Sequence, residues 1–139
     1  MRGSEKAMRS NVVKLLRKAG LDARPVENAV DIGYPDIEYI GGLLELKQID
    51  AWPKKIETPL RCEHYTQEQR IWHERRWHAG GAIYVLLQVG PEFLLFTGPT
   101  AANLLGFSSR KVLFEHCLAH YTSLADLSGH LPYFLKLPR

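Results

Sequence analysis

Gly33-Tyr34-Pro35-Asp36-Ile37-Glu38-Tyr39-Ile40-Gly41-Gly42-Leu43-Leu44-Glu45-Leu46-Lys47 is the stretch around which the rest of the chain is arranged. Two runs rich in apolar and aromatic residues flank a Gly-Gly pair, the pattern of a β-hairpin closed by a two-residue turn that needs positive φ. With Gly41-Gly42 as the turn, Ile40 faces Leu43, Glu38 faces Glu45 and Asp36 faces Lys47. Strand side chains alternate, and directly opposed residues share a face. Asp36, Glu38, Glu45 and Lys47 therefore lie on one face, and Ile37, Tyr39, Leu44 and Leu46 on the other. The apolar face belongs against a core. The charged face either meets water or forms a site.

Met by water, the charged face is that of an ordinary half-buried hairpin, with an Asp36–Lys47 cross-strand pair contributing about 0.2–1 kcal/mol. Read as a site, the same residues suit phosphodiester hydrolysis. Two hard carboxylates hold Mg²⁺, which keeps its other positions for water and phosphate oxygens. A lysine on the same face neutralises phosphate charge or steers the attacking water. The hairpin alone leaves both readings open.

Pro35-Asp36, followed after eight residues by Glu45-x-Lys47, resembles the signature of the PD-(D/E)xK nuclease superfamily. The wider order is similar to small VRR-NUC-type and phage Holliday-junction-resolvase-like members: Gly33-Tyr34-Pro35-Asp36, Glu45-x-Lys47, Thr66-x-x-Gln69, Trp72, then Gly80-Gly81 before an apolar run. The resemblance covers about residues 5–97; residues 98–139 carry no assignable motif. It implies a restriction-endonuclease-like core and a metal held by Asp36, Glu45 and the backbone carbonyl of Leu46, with Lys47 positioning the nucleophile or the scissile phosphate. It also implies a glutamine, Gln69, close to that lysine. An additional acid is expected beside Asp36, to bind a second metal or orient a water; Glu27 is placed ahead of Glu5 for this role.

At 139 residues the chain is read as a single domain over 1–139, with the nuclease-like core at about 5–97 and a helical extension over 98–139. Its 45% hydrophobic and 24% charged residues are ordinary for a globular protein, and a net charge of +3 permits nucleic-acid contact without demanding it. No apolar run reaches membrane-spanning length, and Met1-Arg2-Gly3-Ser4 leads into polar residues rather than a secretory signal. Two widely spaced cysteines fit a reducing cytosol, and the resemblance to phage members implies the cytoplasm of a bacterial or phage-infected cell. Ser-His-Asp sets, phosphate-cradling glycine loops and dinucleotide fingerprints are absent.

Periodicity places an amphipathic helix over 4–19, capped by Ser4 and closed by Gly20, and a first strand over Arg24 to Asn28 that leads through Asp31 into Gly33. A polar loop over 48–65 follows. Its Lys54, Lys55 and Arg61, with Trp52 nearby, suit a surface that tracks a nucleic-acid backbone and stacks bases, or a plain solvated surface. A second helix over 66–79 is capped by Thr66 and sets Gln69, Trp72, His73 and Arg76 on one face. That row can lie across the site, with Gln69 near metal-bound water and His73 and Arg76 toward nucleic acid; Trp72 reads as a core anchor. Strands over 82–89 and 92–97 follow, the first apolar on both faces and so central. The tail reads as helices near 99–105 and 109–120 and a Pro-containing extended end, whose apolar residues complete the core or form a dimer interface. The expected fold is α/β, an α+β mixed sheet flanked by helices.

The expected activity is Mg²⁺- or Mn²⁺-dependent endonucleolytic hydrolysis of DNA, selective for branched or Holliday-junction structures and carried out by a homodimer. A less selective nickase or single-strand nuclease, or a catalytically silent nucleic-acid-binding module of the same fold, are the alternatives.

Overall fold

The computed structural model of the protein describes residues 3–27 and 32–139. In chain order the elements are α1 (Gly3–Lys18), β1 (Arg24–Pro25), β2 (Ile37–Tyr39), β3 (Gly42–Ile49), α2 (Gln67–His78), β4 (Ile83–Val89), β5 (Glu92–Thr97), α3 (Gly98–Leu104), α4 (Arg110–His116), β6 (Ala119–Tyr121) and α5 (Leu124–Lys136). The strands form one six-stranded sheet in the order of the sequence. β3 and β4 run parallel; every other neighbouring pair is antiparallel. A parallel pair needs a crossover, and the 50–65 loop with α2 supplies it. The result is the expected mixed α/β sheet flanked by helices.

Alternation along the strands sorts the side chains into layers. Ile37, Tyr39, Leu44, Leu46, Tyr84, Leu86, Phe93 and Leu95 pack with α1 and α5. Val12 and Leu16 of α1 are fully buried there, each worth about 1.5–3 kcal/mol. On the opposite face, Val85, Leu87, Leu94 and Phe96 pack with Ala101, Leu105 and Leu113, while Leu43, Trp72 and Ile83 make a separate small cluster. Along β3 this face reads Leu43, Glu45, Lys47, Ile49. Glu45 and Lys47 therefore interrupt an otherwise apolar layer.

The hairpin differs from expectation in its register. Ile37 opposes Leu44, Glu38 opposes Leu43 and Tyr39 opposes Gly42, so Ile40-Gly41 makes the turn, and neither Gly41 nor Gly42 has positive φ. The turn is placed by what lies beneath it. Ile40 N–H donates to the Leu21 carbonyl at 2.9 Å, and Gly42 already lies in the sheet, where a Cβ would come within 2.7 Å of the Ala82 carbonyl and 2.8 Å of the Tyr39 hydroxyl. Opposed partners shift by two residues, which preserves parity. The division into a charged and an apolar face therefore stands, although Glu38 opposes Leu43 rather than Glu45.

Two further readings are corrected. The first strand is only Arg24–Pro25; Asn28 and Asp31 lie outside the described residues. The C-terminal end is not extended: α4 stops at His116, Leu118 N–H joins the Leu95 carbonyl at 2.7 Å, and the chain adds β6 and then α5. Ser123 caps α5 by accepting from Asp126 N–H at 3.0 Å. Leu127, Leu131 and Leu135, spaced at one helical face, are buried in the α1 layer. Their burial, about 1.5–3 kcal/mol each, outweighs the roughly 3 kcal/mol cost of Pro132 inside the helix.

The register carries a test. Gly41→Ala meets nothing closer than 3.5 Å and should change stability by no more than about 1 kcal/mol, whereas Gly42→Ala should cost about 1–3 kcal/mol through overpacking. Urea unfolding of the two variants measures the difference; equal losses would contradict the register.

Candidate active site

The charged face becomes a site where β2 stops pairing. Antiparallel pairing with β3 ends at Ile37 and Leu44. The next free strand donor, Leu46 N–H, goes to Asp36 Oδ2 at 2.8 Å, while the Asp36 carbonyl accepts Val26 N–H at 2.8 Å. Asp36 is thus fixed by backbone on both sides, with its carboxyl group lodged against β3.

From β3 come Glu45 and Lys47, 1% and 3% exposed. Lys47 Nζ lies 3.1 Å from Glu45 Oε2 and donates to Gln69 Oε1 and the His64 carbonyl, each at 3.0 Å. It also sits 5.3 Å from the centroid of the Tyr65 ring. Gln69 arrives through the start of α2, where Thr66 and Gln69 form a capping box. Gln69 Oε1 accepts from Thr66 N–H at 2.9 Å, and Gln69 Nε2 donates to Glu45 Oε2 at 3.0 Å. A motif that ordinarily satisfies helix-end donors here also connects the helix to the site. Asp36, Glu45, Lys47 and Gln69 are brought together as their spacing suggested. The lysine's acid partner is Glu45 on its own strand, not Asp36 across the hairpin.

The electrostatics are those of too few positive charges for the acids present. Burial raises the Asp36 carboxyl group above its ordinary range, opposed by the Leu46 N–H. Burial, and then the neighbouring Asp36 charge, push Glu45 well above its ordinary range against the pull of Lys47. Glu45 Oε1 is buried with no N–H donor among the described residues, and the Asp36 and Glu45 carboxyl groups lie within hydrogen-bond reach of each other. A divalent cation suits this donor set. Mg²⁺ takes one or two protein carboxylates and completes its shell with water and phosphate oxygens, and its charge would hold both carboxyl groups ionised. No group of three or more His, Cys, Asp or Glu side chains placed to hold a metal occurs among the described residues; Asp36 and Glu45 are the two carboxylates there, with the Leu46 carbonyl as a main-chain candidate.

The two supplementary acids exchange places. Glu27 projects into solvent, 81% exposed, and pairs with Arg9 at 3.3 Å; β1 ends before it can deliver Glu27 to the site. Glu5 is 7% exposed, lies 2.7 Å from His64 Nε2, and adds to the upward push on Asp36. The sign was available in the sequence: Glu5, Met8 and Val12 follow one helical stripe, and a carboxylate on an apolar stripe is unusual. His64 and Tyr65 were not singled out for the site, and no periodic pattern marks them.

The residues expected to contact nucleic acid take different positions. His73 is fully buried, with Nδ1 paired to the Tyr65 hydroxyl at 2.8 Å, and cannot touch a ligand. It shares its helix face with Trp72, and that face turns inward. Trp52 is half-buried against Phe114 and tied to Glu92, so it offers no free ring. Lys54 and Lys55 are exposed beside a shallow hollow shared with Arg110. Arg61 is exposed and faces Glu63 at 3.9 Å. Arg76 lies over the Trp72 ring at 5.5 Å, two turns from Gln69.

No protein-family model and no curated protein matches the chain. Among solved structures it is similar to Hjc, a Holliday junction resolvase from the archaeal hyperthermophile Archaeoglobus fulgidus. The identity is 21% and the TM-score 0.47, over 67% of this chain and 76% of that one.

The environment of His73 predicts a pH effect. Burial, with Lys47 and Arg70 nearby, lowers its pKa from 6.5 to about 3. Below about 6.5 the unfolded chain takes up a proton that the folded chain refuses, so this stabilisation is full above that value and declines toward about pH 3, by at most about 1.4 kcal/mol per pH unit. His73→Phe should lose stability at pH 7, because the Tyr65 hydroxyl loses its partner, and the gap to the native chain should narrow by pH 5. Urea midpoints at the two pH values read it; a constant gap would contradict the assignment.

Proposed function

We propose that this chain is a divalent-metal-dependent endonuclease that hydrolyses phosphodiester bonds in DNA, with branched DNA such as a four-way junction as its preferred substrate. The observation that supports the reading best is Glu45 Oε1: a buried carboxylate oxygen without an N–H donor, beside a second carboxyl group and a lysine. A purely structural ion pair would not need the extra acid.

A bound Mg²⁺ or Mn²⁺ supplies Lewis acidity toward a phosphate oxygen and a coordinated water of lowered pKa. Asp36 and Glu45, with the Leu46 carbonyl, are the groups that would hold it. Lys47, steadied by Gln69 and the His64 carbonyl, presents positive charge to the scissile phosphate or orients the attacking water. Gln69 keeps Glu45 and Lys47 in register through one amide. Glu5, through His64, replaces Glu27 as the additional acid. Paired nicks in a junction call for two copies, and exposed Tyr133 and Leu137 at the C-terminal end offer apolar surface for a homodimer. No helix among the described residues is long and apolar enough to cross a membrane.

Single-turnover cleavage of labelled four-way-junction, linear-duplex and single-stranded DNA tests the proposal. Cleavage should require Mg²⁺ or Mn²⁺ and stop with EDTA. Asp36→Asn, Glu45→Gln and Lys47→Met should each slow it at least about a hundredfold while thermal unfolding stays cooperative. Unimpaired cleavage by any two of them would overturn the mechanism. Binding without turnover in either metal would leave a nucleic-acid-binding module instead.

A further inference from the structure

A buried guanidinium with no acid beside it is costly, and α2 carries one in Arg70, next to Gln69. The residue is 8% exposed. Nε donates to the Tyr65 carbonyl at 3.3 Å and Nη1 to the Ala102 carbonyl at 2.9 Å. The guanidinium lies over two rings, 4.1 Å from the Tyr65 centroid and 4.7 Å from that of Phe107. No carboxylate pairs with it among the described residues, and Nη2 has no acceptor there.

Nη2 sits beside Gly106, where a Cβ would stand 3.0 Å away and φ is +101°. Both residues line an open groove of about 670 Å³ together with Arg61, Gln67, Thr58 and Phe107, within the roughly 300–1,000 Å³ typical of small-ligand sites. Phe107 is 65% exposed although its ring rests on Arg70. The one carboxylate of the lining, Glu63, is 86% exposed and faces Arg61. The groove adjoins the site just described: the Tyr65 ring that Arg70 covers is the ring lying 5.3 Å from Lys47 Nζ. Anion-directed donors beside an exposed aromatic face are the combination by which single strands are held, phosphate on cation and base on ring.

We propose that this groove binds a nucleotide freed from its partner strand at a branch point, adjacent to the scissile phosphate, Arg70 Nη2 donating to a phosphate oxygen and Phe107 stacking on the base. The assignment rests on the nuclease reading for its substrate class. It places at the site a residue, Phe107, from the segment that carries no family resemblance.

Fluorescence anisotropy of the full chain with labelled oligothymidylate in EDTA, where nothing is cut, tests the groove. Phe107→Ala should weaken single-strand binding about 10- to 100-fold, Phe107→Tyr should retain it, and both should bind a blunt duplex like the native chain, since paired bases offer no face. Arg70→Lys, which keeps the charge but not the planar fork, should also weaken single-strand binding. Phe107 is a surface residue, so the proposal remains testable if the Arg70 variant fails to fold. Native single-strand affinity in Phe107→Ala, equal losses on single strand and duplex, or no binding by the native chain would each overturn it. A chain that binds through Phe107 but never cuts removes the nuclease reading and keeps the groove. A chain that cuts while Phe107→Ala binds normally removes the groove alone.

Discussion

One lysine ammonium group enclosed with two carboxyl groups is the constraint on which the rest of this fold depends. Each ion taken out of water costs several kcal/mol, and Lys47 can compensate only part of what Asp36 and Glu45 lose. The surrounding architecture makes the burial tolerable. Leu46 N–H is given to Asp36, a glutamine amide is given to Glu45, and a loop carbonyl is given to Lys47. These donors and acceptors come from β3, α2 and the loop between them. They converge because the crossover between the parallel strands β3 and β4 carries α2 back over that face of the sheet.

The polar cluster also explains why the core on that face is divided. Leu43 with Trp72 and Ile83 forms one apolar body, and the side chains under α3 and α4 form another. Glu45 and Lys47 lie between them at the β3 positions that simple alternation would make apolar. A sheet built only for stability would fill that gap with leucine or valine at lower cost. That one carboxylate oxygen there is left without an N–H donor points the same way, toward a ligand that the polypeptide does not itself provide.

Much of this was legible because local rules and the final structure agree. The Asp36–Lys47 stretch could only be a hairpin with a charged and an apolar face, and that division survived a turn displaced by one residue. Thr66 was legible as the cap of α2, though not its reciprocal bond with Gln69, and the apolar run at 82–89 marked the central strand. What could not be read depended on distant contacts. The turn moved because Ile40 N–H is taken by the Leu21 carbonyl and Leu43 N–H by the Ala82 carbonyl, which draws Gly42 into the sheet. Glu5 lies on the buried stripe of α1 with Met8 and Val12, a sign the sequence held, whereas the exposure of Glu27 follows from β1 stopping at Pro25. Pro132 argued for an extended tail, and three leucines one turn apart outweighed it. Arg70 gave no signal at all, since its partners, Ala102 and Phe107, come from α3 and the loop after it.

Manganese binding followed by electron paramagnetic resonance tests the central claim most directly, because it asks about the cation without requiring a substrate. The account predicts that the native chain takes up Mn²⁺ saturably, in competition with Mg²⁺, and that the Asp36→Asn, Glu45→Gln double variant, still folded, does not. Mn²⁺ left wholly free by the native chain, or bound equally by the double variant, would contradict it.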